Sequence, residues 1–217
     1  AGKHNMRHFT YWEKMTIFHT AAPENAGHLG RNIGDIAREL GKSPWDTLVD
    51  IALADGLETS FGHPSIDEPD ENWEARLQVW RDHRAVIGAS DAGAHLDMFF
   101  SADYATKMIG EAVGKRHLLP LEEAVNLLTA VPADLYMLKD RGRLVEGAYA
   151  DVVVFDEHEI SSNPMEMRTD LPAGASRLYA EANGIDHVLC NGVEIVAGGA
   201  FTDARPGTVL RSGVHTG

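Results

Sequence analysis

A short apolar run that stops at a carboxylate constrains this chain more than any other feature. Residues 84–95 read Arg-Ala-Val-Ile-Gly-Ala-Ser-Asp-Ala-Gly-Ala-His. Ala85, Val86 and Ile87 follow one another without polar alternation, the pattern of a parallel strand covered on both faces. The run ends at Ser90-Asp91, followed by small residues and His95. In (β/α) architectures the loops at the carboxyl ends of parallel strands open onto one pocket, so a carboxylate there is placed for chemistry. The same aspartate can serve instead as the N-cap of a following helix.

The flanking sequence supports an alternating α/β reading. Met15-Thr16-Ile17-Phe18 predicts a buried strand, and His19 to Asn25 a loop. Asn32 can cap a helix that Gly41 ends, and Ser43-Pro44-Trp45-Asp46 starts a second helix with serine at N-cap and proline at N1. Leu57 to Phe61 predicts a strand ending at Gly62-His63-Pro64. A helix is expected from Glu71 to about His83, with Trp73, Leu77 and Trp80 on one face. Helices are also expected at 102–113, 121–128 and 132–138. From Lys139 onward the texture changes to β-branched runs between turn residues, and Asn191-Gly192 between apolar segments predicts a hairpin. The expected division is therefore 1–138 and 139–217.

Composition narrows the partners. The chain of 217 residues is 44% hydrophobic and 24% charged, an ordinary globular balance. A formal charge of −14 argues against nucleic acid and against an anionic membrane surface. No apolar run is long enough to span a bilayer, and the first residues carry no signal-peptide pattern. The single cysteine, Cys190, rules out an internal disulfide framework and fits a cytoplasmic location; a buried strand position is expected for it. Eleven histidines raise the question of metal. His4 and His8 stand one helical turn apart, but no glutamate follows His4, so they do not form the His-Glu-x-x-His zinc motif.

Several landmarks together carry a resemblance. Gly147-x-x-Ala150-Asp151-Val152-Val153-Val154-Phe155-Asp156, followed by Val188-x-x-Asn191-Gly192, resembles the C-terminal part of the metal-dependent amidohydrolases. Arg205-Pro206-Gly207-x-x-Leu210-Arg211, Pro23-Glu24-Asn25, Gly30-Arg31-Asn32-Ile33 and Gly41-Lys42-x-Pro44-x-Asp46 narrow it to the N-acyl-D-amino-acid deacylase group. The resemblance runs from about residue 11 to 211. It implies the C-terminal portion of a TIM-like (β/α) barrel over 1–138 and part of a small β-sandwich over 139–217. It also implies zinc as cofactor and hydrolysis of an amide or related C–N bond in a small molecule. The general base of the group, next to the metal, falls on Asp91. His95, four residues on, and His63, at the end of the preceding strand, are the candidates for binding substrate, and Ser90 is expected to fix the strand end through backbone hydrogen bonds.

The departures are equally specific. The group's His-x-His metal pair is absent from this sequence, and a complete barrel needs about 250 residues. The chain is thus expected to be a C-terminal fragment that works against the missing N-terminal half or another copy of itself, as a homo-oligomer, because a half barrel leaves a strand edge and apolar faces open. The resemblance also implies a substrate-binding arginine shortly beyond the aspartate. None lies in Leu96-Asp97-Met98-Phe99-Phe100-Ser101, and Lys107 is the nearest cation. A less polar amide, or an unassigned one, is therefore expected as substrate. The alternative class is a catalytically silent protein that keeps the fold as an assembly scaffold.

Overall fold

The computed structural model describes residues 11–62, 70–88, 90, 96–97 and 100–217. The chain divides into two compact units, Ala1–Glu68 and Pro69–Gly217. The change of texture near residue 139 lies inside the second.

In the first unit, strand β1 (Thr16–His19) pairs antiparallel with β2 (Ser60–Gly62), Ile17 facing Phe61. Helices α1 (Ile33–Leu40) and α2 (Pro44–Ala54) lie between them in sequence. Local chemistry sets both helices. The Asn32 side chain accepts from the Gly34 N–H at 2.9 Å, and Gly41 closes α1 in the left-handed region at φ 64°. Ser43 Oγ accepts from the Asp46 N–H at 3.1 Å, with Pro44 behind it at the first helical position. Ile33 and Ile36 of α1 and Ile51 of α2 meet Ile17 in a buried cluster, with Met15, Leu48 and Phe61 at its margin. Three of those four isoleucines are fully buried.

The second unit begins with α3 (Asp70–Trp80), whose Trp73 is buried against Met108, Ala112, Leu119 and Ala124. The Arg76 and Arg116 guanidinium groups lie over the Trp73 ring, each 4.9 Å from its centroid. Helix α4 (Tyr104–Lys107) runs directly into a π-helical stretch, Met108–Lys115, and is followed by α5 (Leu121–Leu128) and α6 (Ala130–Leu135). Arg81 binds Glu123 of α5 through both carboxylate oxygens, at 2.6 and 2.8 Å.

The rest of this unit is strands: β3 (Val152–Phe155), β4 (Ser161–Ser162), β5 (Glu166–Arg168), β6 (Arg177–Tyr179), β7 (Ala182–Asn183), β8 (Ile185–Cys190), β9 (Val193–Ala197) and β10 (Ala200–Phe201). Four of them form a sheet in the order β10-β9-β8-β3, and β4 pairs with β7 and β5 with β6. The β8–β9 turn is Asn191-Gly192, both at positive φ (49° and 79°), as the primed two-residue turn requires. Arg141 braces this turn: one nitrogen binds Asp151, another the Asn191 side-chain oxygen at 2.7 Å, and its guanidinium lies over the Tyr149 ring, 4.1 Å from the centroid. The helical layer meets β4 closely. A Cβ on Gly110 would press into the Ile160 carbonyl, and Thr106 Oγ1 lies 3.1 Å from Ser162 Oγ.

Two expectations are corrected. Every strand pairing among the described residues is antiparallel, including β1 with β2, where a parallel sheet is expected from the sequence. Strands that meet over only three residues gain from the antiparallel pattern, which is slightly the stronger per residue. Residues 85–88 form no ladder among the described residues. A strand exists only through a neighbour's hydrogen bonds, and no described strand supplies them. No described helix is long and apolar enough to cross a membrane.

Candidate active site

The residues on which the functional reading turns lie outside the described residues: Asp91, His95 and His63, and also His4 and His8. What surrounds Asp91 in sequence is described on both sides. On the approach, burial alternates: Ala85 and Ile87 are half-buried, whereas Val86 and Gly88 are exposed. Ile87 packs against the Trp73 cluster. One face of the run is thus covered and the other is open, with Val86 40% exposed. The run walls an apolar hollow of about 370 Å³ together with Val79, Trp80, Tyr104 and Met108. At the end of the run, the Ser90 carbonyl accepts a hydrogen bond from the Ser101 hydroxyl.

Beyond Asp91, the first described charged side chains are Asp97, Asp103 and Lys107. Asp103 precedes α4 with its side chain only 8% exposed, and its Oδ2 holds Lys107 Nζ at 3.0 Å. Its Oδ1 is buried, with no hydrogen-bond partner among the described residues. Lys107, the nearest cation by sequence, is therefore engaged on its own helix. The spacing of four residues between Asp103 and Lys107 is the signal in the sequence for this pair.

In the first unit, the loop after β1 is organised by Asp55, at the end of α2. Its carboxylate accepts from the Ala21 N–H at 3.1 Å, from the Ala22 N–H, and from Thr59 Oγ1 at 2.5 Å. Burial pushes its pKa up, but these donors stabilise the charged form and hold it below the ordinary carboxylate value. Asn25 anchors the same loop by donating to the Ile51 carbonyl at 3.0 Å. Cys190 ends β8, half-buried rather than fully buried, because it closes a strand at the hairpin turn.

Among the described residues, no three histidine, cysteine, aspartate or glutamate side chains gather closely enough to hold a metal ion. The zinc implied by the resemblance therefore finds no complete ligand set in them.

Comparison with known proteins supplies the family. The model described as amidohydrolase family matches residues 19–196. The N-acyl-D-glutamate deacylase of Alcaligenes xylosoxydans xylosoxydans is 42% identical over 146 residues, which cover 65% of this chain and 27% of that protein. The D-aminoacylase of the same organism is 28% identical over 183 residues, covering 83% of this chain and 34% of that one. A crystal structure of D-aminoacylase, which defines a novel subset of amidohydrolases, superimposes with a TM-score of 0.53 at 25% identity, over 88% of this chain and 36% of that chain. The chain thus spans about a third or less of the length of these curated relatives. On the match over 19–196, the chain belongs to the amidohydrolase family.

Proposed function

We propose that this chain is the C-terminal part of a zinc-dependent deacylase that hydrolyses an amide or related C–N bond in a small molecule. The observation that carries the reading is the family match across 19–196, a span that includes the apolar run and Asp91 after it. In this proposal Asp91 takes a proton from the attacking water and delivers it to the leaving nitrogen. Zinc, when bound, supplies Lewis acidity toward that water and the scissile carbonyl. His95 and His63 are the proposed substrate-binding residues. The relatives named above support the reading by their deacylase and aminoacylase activities.

The remaining metal ligands come from the rest of a longer polypeptide. Two observations favour this: the sequence has no His-x-His, and the matched relatives are about three times as long as the part matched. The one-sided burial of residues 85–88 supports it as well, because an unpaired apolar segment is stabilised by an added neighbouring strand. On this reading residues 1–138 belong to the barrel and 139–217 to the sandwich. The enzyme works in the cytoplasm, as a homo-oligomer.

The test uses the whole protein. Asp91→Asn is expected to lower kcat by about 10²–10⁴-fold, the usual worth of a general acid–base group, while zinc content by elemental analysis stays unchanged. Undiminished turnover would refute the role of Asp91. Failure of the zinc-loaded protein to hydrolyse any acylated amine would favour the scaffold reading.

A further inference from the structure

We infer that Asn183 is the site of spontaneous deamidation in the folded chain, and that Arg141 withholds the same chemistry from Asn191. The sequence holds two asparagines followed by glycine, Asn183-Gly184 and Asn191-Gly192. Such pairs cyclise readily, because glycine has no Cβ to hinder the approach of its own nitrogen to the side chain before it. The glycine nitrogen gives up its proton and attacks the asparagine Cγ. A C–N bond forms, the Cγ–Nδ2 bond breaks, and the leaving nitrogen takes up a proton and departs as ammonia. Water then opens the cyclic imide at either carbonyl and leaves aspartate or isoaspartate.

The glycine N–H must come free and the asparagine side chain must swing over it. At Asn191 the hydrogen bonds oppose both movements. The Gly192 N–H donates to the Ala150 carbonyl at 2.8 Å. The Asn191 side chain is held at both ends: Oδ1 accepts from Arg141 at 2.7 Å, and Nδ2 donates to the Pro206 carbonyl at 2.7 Å. Asp151 fixes the backbone beneath, accepting from the Asn191 N–H at 2.8 Å while it pairs with Arg141, whose side chain is only 12% exposed.

Asn183 is held differently. It is exposed, and its side-chain bonds leave from Nδ2 alone, to Asn163 Oδ1 at 2.7 Å and Ser161 Oγ at 3.4 Å. Releasing it breaks contacts between neutral groups at the surface, whereas releasing Asn191 breaks a bond to a guanidinium, roughly twice as strong. Cyclisation at Asn191 therefore waits for the turn to open. Isoaspartate there lengthens the backbone of a two-residue turn and ends its pairing, so modification at Asn191 marks chains that have opened.

The test incubates the whole protein in heavy-oxygen water at mildly alkaline pH and reads the label at each site by peptide mass spectrometry. In the folded protein, Asn183 is expected to take up label roughly tenfold or more faster than Asn191, the factor carried by one hydrogen bond to a charged group. In urea the two rates should converge. Arg141→Lys keeps the charge but loses the fork that holds Asp151 and Asn191 together. In the folded variant, labelling of Asn191 should rise roughly tenfold while Asn183 is unchanged.

Equal rates in the folded parent, or faster label at Asn191, overturn the inference, and that comparison needs no variant. A gap that persists in urea does the same, because it then belongs to the local sequence. An unchanged Asn191 rate in a folded Arg141→Lys protein removes Arg141 from its role.

Discussion

Two glycines four residues apart in the same helical stretch should respond differently to the same substitution. An alanine Cβ at Gly110 would lie inside the contact distance of the Ile160 carbonyl oxygen, with the carbonyl carbon at 3.3 Å and Ser161 Cα at 3.6 Å. These are backbone atoms, so the clash cannot be relieved by turning a side chain. At Gly114 the nearest neighbours are the Ile109 and Glu157 carbonyl oxygens, at 3.6 and 4.0 Å, which is ordinary contact. Both variants gain the helical preference of alanine over glycine, about 1 kcal/mol. Only Gly110→Ala adds an overpacking cost, about 1–3 kcal/mol.

The shared gain cancels between the two variants, so the difference in their unfolding free energies isolates the steric cost, about 1–3 kcal/mol. Urea titration of the whole protein measures it, and hydrogen exchange at 104–115 and 159–162 localises it. Gly114→Ala should be at least as stable as the parent. Gly110→Ala should be less stable than Gly114→Ala and should exchange faster on both sides of the contact. Equal stability of the two variants would refute the close approach of the helix to the chain at Ile160.

Further outcomes follow from the same structure. The folded-state pKa of Asp55 lies below its unfolded value, so its stabilisation is fully present above the ordinary carboxylate range and is lost as pH falls through the folded pKa. Asp55→Asn should therefore be less stable than the parent at pH 7, and the two denaturation midpoints should converge as the solution is acidified below about pH 4; a constant gap would contradict the assignment. Gly192→Ala places a side chain at φ 79° in the β8–β9 turn and should cost about 1–2 kcal/mol, read by thermal unfolding. A neutral result there would mean that the turn is not of the primed type.

The features legible in the sequence are those whose causes lie within a few residues. Asn32, Gly41 and the Ser43-Pro44 pair mark the ends of α1 and α2 because a cap acts on the N–H groups of the next turn. Asn191-Gly192 marks its hairpin because both residues accept positive φ. The antiparallel pairing of β1 with β2 is a different matter, since it depends on segments more than 40 residues apart that only the packed isoleucine cluster brings together. The π-helical stretch is likewise hidden: Gly110 looks like a weak helix position until the chain at Ile160 is seen against it. For the candidate site, the apolar run before Asp91 announces a segment made to be covered on both sides. The described residues cover only its Ala85 and Ile87 side, so sequence pattern and structure differ by one neighbouring layer. Asp103 is not legible in the sequence because a carboxylate at the start of a helix resembles an ordinary cap, and only its burial distinguishes it.

The four tryptophans are shared evenly between the two units. Trp12 and Trp45 face each other at 4.8 Å in the first, and Trp73 and Trp80 meet edge-on at 6.3 Å in the second. Each unit thus carries its own coupled chromophore pair, one tilted and partly wetted, the other sheltered beside two guanidinium groups. Replacing either pair with phenylalanine leaves an optical signal that belongs to one unit alone, so the order in which the halves of this chain lose structure can be read by light, without any added label.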